Sequence, residues 1–276
     1  MKIALASCCK GHKHRRQPAW KRIDREAPDL LLLLGDNVYG GSLSLSWKKF
    51  HKRIEQRYQL LFEQKHFKDL VARVPMHAIW DDHDFARGDN ARGALVRTEH
   101  KERSRELFHR YMHSSNNLPE VYHAFDQGDA RIIMLDVRYY REAPSPTGSI
   151  LGRQQEAWLE RQLQHDRRYT VICSGTCLTR GGERWTRYRD YYERFCAMAR
   201  EKGRVLFLSG NIHKNRFVEH DGFFEVISSG VCRGKRDNYG IVDLQDDTVR
   251  VRLRGNHAAD NDDVVIDADS WRVLAR

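Results

Sequence analysis

The chain has 276 residues, 40% of them hydrophobic, and a formal charge of +10 from 48 Lys and Arg against 38 Asp and Glu. This is enough apolar material for a sizeable core, and no stretch approaches the roughly 18 apolar residues that cross a bilayer, so a soluble protein without a membrane span is expected. The positive excess favours anionic partners such as phosphate esters, nucleic acid or anionic lipid. It concentrates in residues 10–25 and again from Arg180 to Arg194, where a basic binding face and a merely solvated surface are both open readings.

The opening MKIALASCC imitates, at Leu5 to Cys8, the small-residue site at which a lipoprotein is cleaved, but the apolar region before it is too short for a secretory signal. A first β-strand over Ile3 to Ala6 is expected instead. Further apolar runs, each ending in Gly, Asp or Asn, read as strands buried on both faces: Leu30 to Leu34, Val74 to Trp80, Arg131 to Leu135, Thr170 to Cys173 and Val205 to Leu208. Between them, helical spacing places Phe50, Ile54, Tyr58 and Leu61 on one face, Leu107, Phe108, Tyr111 and Met112 on another, and Trp158, Leu159 and Leu163 on a third. Trp185, Tyr188, Tyr192 and Phe195 form a stripe read as a core face. From Gly222 the pattern changes to short strands, FFEVISS, YGIVDL and TVRVRLRG, expected to pair antiparallel. REAPSPTGS at 141–149 is a loop, and no repeat or linker divides the chain, so a single α/β domain spanning 1–276 is expected. The six cysteines, Cys8, Cys9, Cys173, Cys177, Cys196 and Cys232, have no export signal beside them and are expected to be thiols in the cytoplasm.

Four apolar strands run out into residues that can bind a metal or a phosphate: ALASCC, LLLLGDNVYGG, HAIWDDHD and VLFLSGNIHKN. Strand ends of an open α/β sheet gather functional groups, so these tips can converge although some 200 residues separate them. After Gly35, Asp36 is a hard ligand able to bridge two cations and Tyr39 a phenol suited to ferric iron, although a Gly-Asp pair is also an ordinary turn. Asp81, Asp82, His83 and Asp84 form either a solvated acidic turn or a buried cluster that needs cations or protons to relieve its repulsion. A neutral His83 beside a metal could donate to a leaving oxygen. Asn211 and His213 add an amide and an imidazole on one side of an extended segment, since residues i and i+2 point the same way. Cys8 is either a thiolate ligand or a small buried residue.

SC at 7–8, PDLLLLLGDNVYG at 28–40, WDDHD at 80–84, IIMLDVRYYR at 132–141, LGRQQEAWLERQL at 151–163, LSGNIH at 208–213, then VISSG and NYGIVDL keep their order over nearly the whole chain. Together they resemble the PhoD-like alkaline phosphatase family of metallophosphatases. The resemblance implies a four-layer α/β/β/α sandwich with mixed sheets. It also implies a centre of ferric iron with calcium, or another divalent cation such as Mn, Mg or Zn, that hydrolyses phosphate esters through a metal-activated hydroxide. It would place Cys8, Asp36, Tyr39 and His213 on the iron and Asp36, Asp82 and Asn211 on a second cation. Arg138 would lie near the phosphate and His83 in the place of a catalytic histidine, with Asp81, Asp84 and Asn37 as ligands or supports. The chain departs from the family in having Gly210-Asn211 for the usual Gly-Asp, Gly88-Asp89 for Asn-Asp, and Cys9 beside Cys8. A neutral amide at 211 should weaken cation binding or change the preferred metal.

A small phosphate ester is the expected substrate. A diesterase acting on nucleic acid or another polyanion, or a binding protein that has lost turnover, are the rival readings. No residue arrangement activates Ser209 or Cys8 as a covalent nucleophile.

Overall fold

Five consecutive leucines, Leu30–Leu34, leave no polar face, and a strand made of them has to be covered on both sides. The fold supplies the two covers. The computed structural model describes residues 1–11, 17–112, 119–231 and 236–276; Lys13, Arg15 and Arg16 of the basic segment, and Cys232, lie outside the described residues. One mixed sheet contains β1 (Lys2–Ala6), β2 (Leu30–Leu34), β3 (Met76–Ile79), β10 (Tyr239–Leu244), β11 (Thr248–Arg254), β12 (Asp262–Asp267) and β13 (Val273–Ala275), in the order 13-12-11-10-1-2-3. The other contains β4 (His123–Gln127), β5 (Ala130–Met134), β6 (Tyr169–Ser174), β7 (Val205–Ser209), β8 (Arg216–His220) and β9 (Phe223–Ile227), in the order 4-5-6-7-9-8.

The pleat of β2 divides its leucines between two cores. Leu30, Leu32 and Leu34, with Ile3 and Leu5 of β1, meet Ile132, Met134, Val171, Leu206 and Leu208 of the opposite sheet. Leu31 and Leu33, with Ala4 and Ala6, face α1 (Pro18–Arg25), α2 (Trp47–Glu63), α3 (Lys65–Val71) and α5 (Thr98–Met112) through Trp20, Phe50, Ile54, Phe67 and Leu107. Ile133, Ile172 and Phe207 turn outward from the second sheet onto α6 (Arg153–Leu163) and α7 (Arg189–Lys202). This is the four-layer α/β/β/α sandwich. Each fully buried leucine contributes roughly 1.5–3 kcal/mol of transfer free energy, so β2 ties the two cores together from its two faces.

Several expectations change with tertiary context. The basic segment conceals α1, whose Ala19, Trp20 and Ile23 are buried beneath the charges and whose Arg22 donates to the Asp237 backbone carbonyl at 2.6 Å. The stripe at 185–195 is broken: Trp185 lies in a separate single turn, α7 begins at Arg189, and Tyr191 rather than Tyr192 is buried. β9 joins the second sheet, parallel to β7 and antiparallel to β8, so only β10 and β11 of the three late strands pair antiparallel with each other. The described cysteines, Cys8, Cys9, Cys173, Cys177 and Cys196, are thiols. Among the described residues no helix is long and apolar enough to cross a membrane.

At the tip of β2 the two neighbouring loops touch without side chains between them. Gly35 has φ +84°, and a Cβ there would lie 2.6 Å from the Asp81 Cβ. Gly35→Ala should therefore cost roughly 2–4 kcal/mol from left-handed strain and overpacking combined. Gly182→Ala, with nothing within 4 Å of the added carbon, should stay within about 0.5 kcal/mol. Denaturant unfolding of the two variants checks this, and equal midpoints would refute the close-packing account.

Candidate metal centre

β1, β2 and β3 run parallel in one sheet and β5, β6, β7 and β9 parallel in the other, so their carboxyl ends open on one rim of the sandwich. The chain leaves those ends through left-handed backbone: Cys8 has φ 57°, Asp36 φ 53°, Asn211 φ 70° and His213 φ 54°. Such conformations cost on the order of 1–3 kcal/mol each for residues other than glycine, and they persist where surrounding bonds hold them. Here Cys8 N–H donates to the Gly35 carbonyl at 3.2 Å, Cys9 N–H to the Asp36 carbonyl at 2.8 Å, and His213 N–H to Ser229 Oγ at 2.9 Å. Position 211 to 213 is thus a tight turn after β7 rather than an extended segment, and Asn211 and His213 address different neighbours.

Three groups of side chains result, the ligand atoms within each lying within 4.8 Å of one another: Cys8, Asp36 and His213; Asp36, Asp82 and His83; and Asp81, Asp82 and Glu183. Asp36 is common to the first two. Its Oδ2 accepts from Tyr39 OH at 3.0 Å and Cys8 Sγ at 3.6 Å, and its Oδ1 accepts from His83 N–H at 3.2 Å. The Tyr39 and His83 rings lie 4.2 Å apart, and His83 Nε2 is 3.4 Å from Asp89 Oδ1. Of the two adjacent cysteines, Cys8 meets Asp36 while Cys9, after the left-handed turn at Cys8, donates to Gln17 Oε1 in the helical layer.

Asp81 and Asp84 separate in role. Asp84 accepts from the N–H groups of Asn37, Val38 and Asp81, each at 3.1 Å, and from Tyr58 OH at 3.2 Å, so its carboxylate ties the loop after β2 to the short helix α4 (Asp82–Phe85). Asn37 serves the same junction, donating to the Ile79 carbonyl at 2.8 Å. Asp81 instead receives Arg138 Nε at 2.6 Å. Arg138, expected beside the phosphate, is completely buried: it pairs with Asp81 and Glu183, approaches Asp82 at 3.8 Å, and donates Nη1 to the Ala91 carbonyl at 3.1 Å. Its backbone turn is set by Asp136, which accepts from Arg138 N–H at 2.8 Å and Trp80 Nε1 at 2.6 Å. Gln155 of α6 clamps Asp136 from behind, accepting its N–H at 2.8 Å and donating to its carbonyl at 2.7 Å. The LGRQQEAWL motif is therefore the brace of the LDVR loop.

Glu183 was not singled out by its sequence setting. It follows two glycines in an arginine-rich loop, away from any strand tip, and only the folded loop brings it against Arg138 and Asn211.

Burial dominates the electrostatics. It pushes the Asp36 carboxyl up to about 7, with the Asp81 charge adding to it. Asp81 and Asp82 also rise to about 7, for burial first and then despite Arg138 at Asp81 and because of Asp36 at Asp82. The Cys8 thiol rises for burial and the nearby Asp36. Glu183 goes the other way: burial would raise it, but Arg138 holds it below the usual carboxylate range. Asp81 Oδ2 and Asp82 Oδ1 are buried without a hydrogen-bond partner. Orphaned carboxylate oxygens beside a thiol, an imidazole and a phenol make a donor set that fits cations of mixed hardness.

A family model described as PhoD-like phosphatase matches residues 3–239. The structure is similar to a dimetal phosphatase from Danio rerio at 15% identity and a TM-score of 0.64, over 97% of this chain and 99% of that one. It is similar to purple acid phosphatase PPD1 from yellow lupin (Lupinus luteus) seeds at 10% identity and a TM-score of 0.64, covering 99% of this chain and 52% of that one, about half the lupin chain's length. GAP50, described as the anchor in the inner membrane complex of Plasmodium, matches at 14% identity and a TM-score of 0.56 over 100% of this chain and 87% of that one. No match was found among curated proteins. At these identities the structural likeness is one of fold, and it is the family match over most of the chain that places it: the protein belongs to the PhoD-like phosphatase family.

Proposed function

We propose that this chain is a metal-dependent phosphatase acting on small phosphate esters, monoesters or diesters, with its whole length forming one catalytic domain. Family membership supports a metal-dependent phosphoesterase. The observation that carries the reading is the sharing of Asp36 between two groups of potential ligands whose carboxyls, without cations, are pushed up to about 7. Cys8, Asp36, Tyr39 and His213 would hold one cation, which thiolate and phenolate donors suit to ferric iron; Asp36, Asp82 and the Asn211 carbonyl would hold a second, calcium or another divalent ion. Bound there, cations of this kind would supply Lewis acidity, lowering the pKa of a water and offsetting charge on the phosphate.

The chain's own groups do the rest. His83, steadied against Tyr39 and Asp89, would supply a proton to the leaving oxygen. Arg138 lies behind the carboxylates with its nitrogens engaged, and its part is to fix Asp81 and Glu183 and offset their charge. Asn90 N–H, donating to Asp82 Oδ2 at 2.9 Å, holds that carboxylate with one oxygen free to ligate.

A second reading, a diesterase on a polyanion, is favoured by the exposed Arg180, Arg184 and Arg187 on the loop that carries Glu183 to the rim. A fold also found in a protein described as an anchor does not by itself guarantee turnover.

Asp36→Ala and Asp82→Ala should each lose bound metal, measured by elemental analysis, and lower turnover of p-nitrophenyl phosphate or its bis ester by on the order of a hundredfold or more. Full metal content with full activity in either variant would remove that residue from the site. Wild-type protein that carries metals yet hydrolyses neither ester would remove the enzyme reading.

The raised carboxyls also set a pH dependence. In the unfolded chain these groups ionise near pH 4, whereas in the metal-free fold they keep protons up to about 7. Their contribution to stability is therefore complete below about pH 4 and is lost as pH rises through about 7, the range in which protons cease to compete with cations. Melting with and without Mn²⁺ from pH 5 to 8 should show a metal-dependent gain that grows with pH; a gain that is flat or shrinks would exclude this cluster as the binding site.

Ionic strength separates the two substrate classes. Activity on p-nitrophenyl phosphate should change less than about twofold between 50 and 200 mM salt, while a polyanionic substrate contacted by several arginines would lose orders of magnitude in affinity.

A further inference from the structure

We propose that Glu183 is a positioning residue for Asn211, and that the two form a matched carboxylate–amide pair in which the neutral side chain at 211 is required because the charge sits at 183. The proposal rests on the metal-dependent reading above and assigns the departure from Gly-Asp at 210–211 a physical cause.

An amide has one donating and one accepting end. Asn211 Nδ2 donates to Glu183 Oε2 at 3.2 Å, which commits the nitrogen and leaves the carbonyl oxygen as the end that could meet a cation. Glu183 is itself fixed: it is 6% exposed, it pairs with Arg138, and Arg141 Nη2 donates to its backbone carbonyl at 2.7 Å. The Arg138 guanidinium is already shared with Asp81 at 2.6 Å and Asp82 at 3.8 Å. An aspartate at 211 would set a second carboxylate oxygen where the amide nitrogen now bonds, against a buried Glu183 whose guanidinium partner, Arg138, is already shared with two other carboxylates. The negative charge normally contributed at 211 is thus displaced to 183, where it acts through the amide. Asn211 sits at φ 70°, a conformation open to asparagine and aspartate alike, so it is the contact with Glu183 that distinguishes the two side chains.

The pair predicts non-additivity, which a merely structural Glu183 would not produce. Asn211→Asp, Glu183→Gln and the double variant can be compared with wild type by Mn²⁺ affinity and by melting of the metal-free protein at pH 8. Each single variant should bind Mn²⁺ about tenfold or more weakly than wild type, and Asn211→Asp should also melt lower without metal. The double variant, with amide and carboxylate exchanged, should recover most of both losses. Tighter Mn²⁺ binding by Asn211→Asp with Glu183 intact, or additive losses in both measurements, would overturn the pairing. Coupling in the metal-free melts with no Mn²⁺ binding by any protein, wild type included, would uphold the pairing and overturn the metal reading instead.

Discussion

Carboxylates crowded into a dry place are the constraint on which this structure turns. Asp36, Asp81, Asp82, Asp84 and Glu183 are all buried, and Arg138 is the cation that pairs directly with Asp81 and Glu183. Burial of like charges is tolerable only where each oxygen is hydrogen-bonded, protonated or coordinated. Asp84 meets the condition with backbone N–H groups and Glu183 with the guanidinium, which also holds one of the two oxygens of Asp81. The shortfall falls on Asp81 Oδ2 and Asp82 Oδ1, which no hydrogen bond satisfies, while Asp36, hydrogen-bonded at both oxygens, is pushed up to about 7 by burial.

The scaffold exists to hold that arrangement against its own repulsion. Two sheets pressed together through the leucines of β2 bring seven parallel strand ends to one rim, and left-handed residues turn the chain sharply enough for side chains from different strands to meet. Supporting bonds run from the helices as well: α6 braces Asp136, Asp136 shapes the turn bearing Arg138, and Arg138 grips the loops after β3 and β6. The motif LGRQQEAWL thus supplies a brace, and Gln155 itself lies behind the groups that would do chemistry.

Cys8, Asp36 and Tyr39 stand where the resemblance read from the sequence implies ligands, and Asn211 stands where it implies an aspartate. The amide donates to the carboxylate of Glu183 at 3.2 Å, the contact on which the proposed carboxylate–amide pairing rests. A loop rich in exposed arginine carries Glu183, so one segment contributes both an internal anion and an external basic rim.

What the amino-acid order determined by itself was local: apolar runs that had to be buried strands, the glycines that end them, and the concentration of ligating residues just past four of those ends. Cys8, Asp36, Asp82 and His213 were legible for this reason, because each stands within a few residues of a run whose burial is compulsory. Even a strong local signal was blind to partners. Whether Cys8 or Cys9 faces Asp36 depends on where β1 stops alternating, and whether β9 pairs with β10 or with β7 depends on which edge is vacant once two sheets have formed. Helix α1 was obscured because charges outnumber its three buried residues, whose burial is conferred by the sheet beneath. Glu183 carried no local mark at all. Its meeting with Arg138, 45 positions earlier, and Asn211, 28 later, is made by loops closing over strand ends, and such contacts are set by the packing of the whole sandwich rather than by any periodicity in the chain.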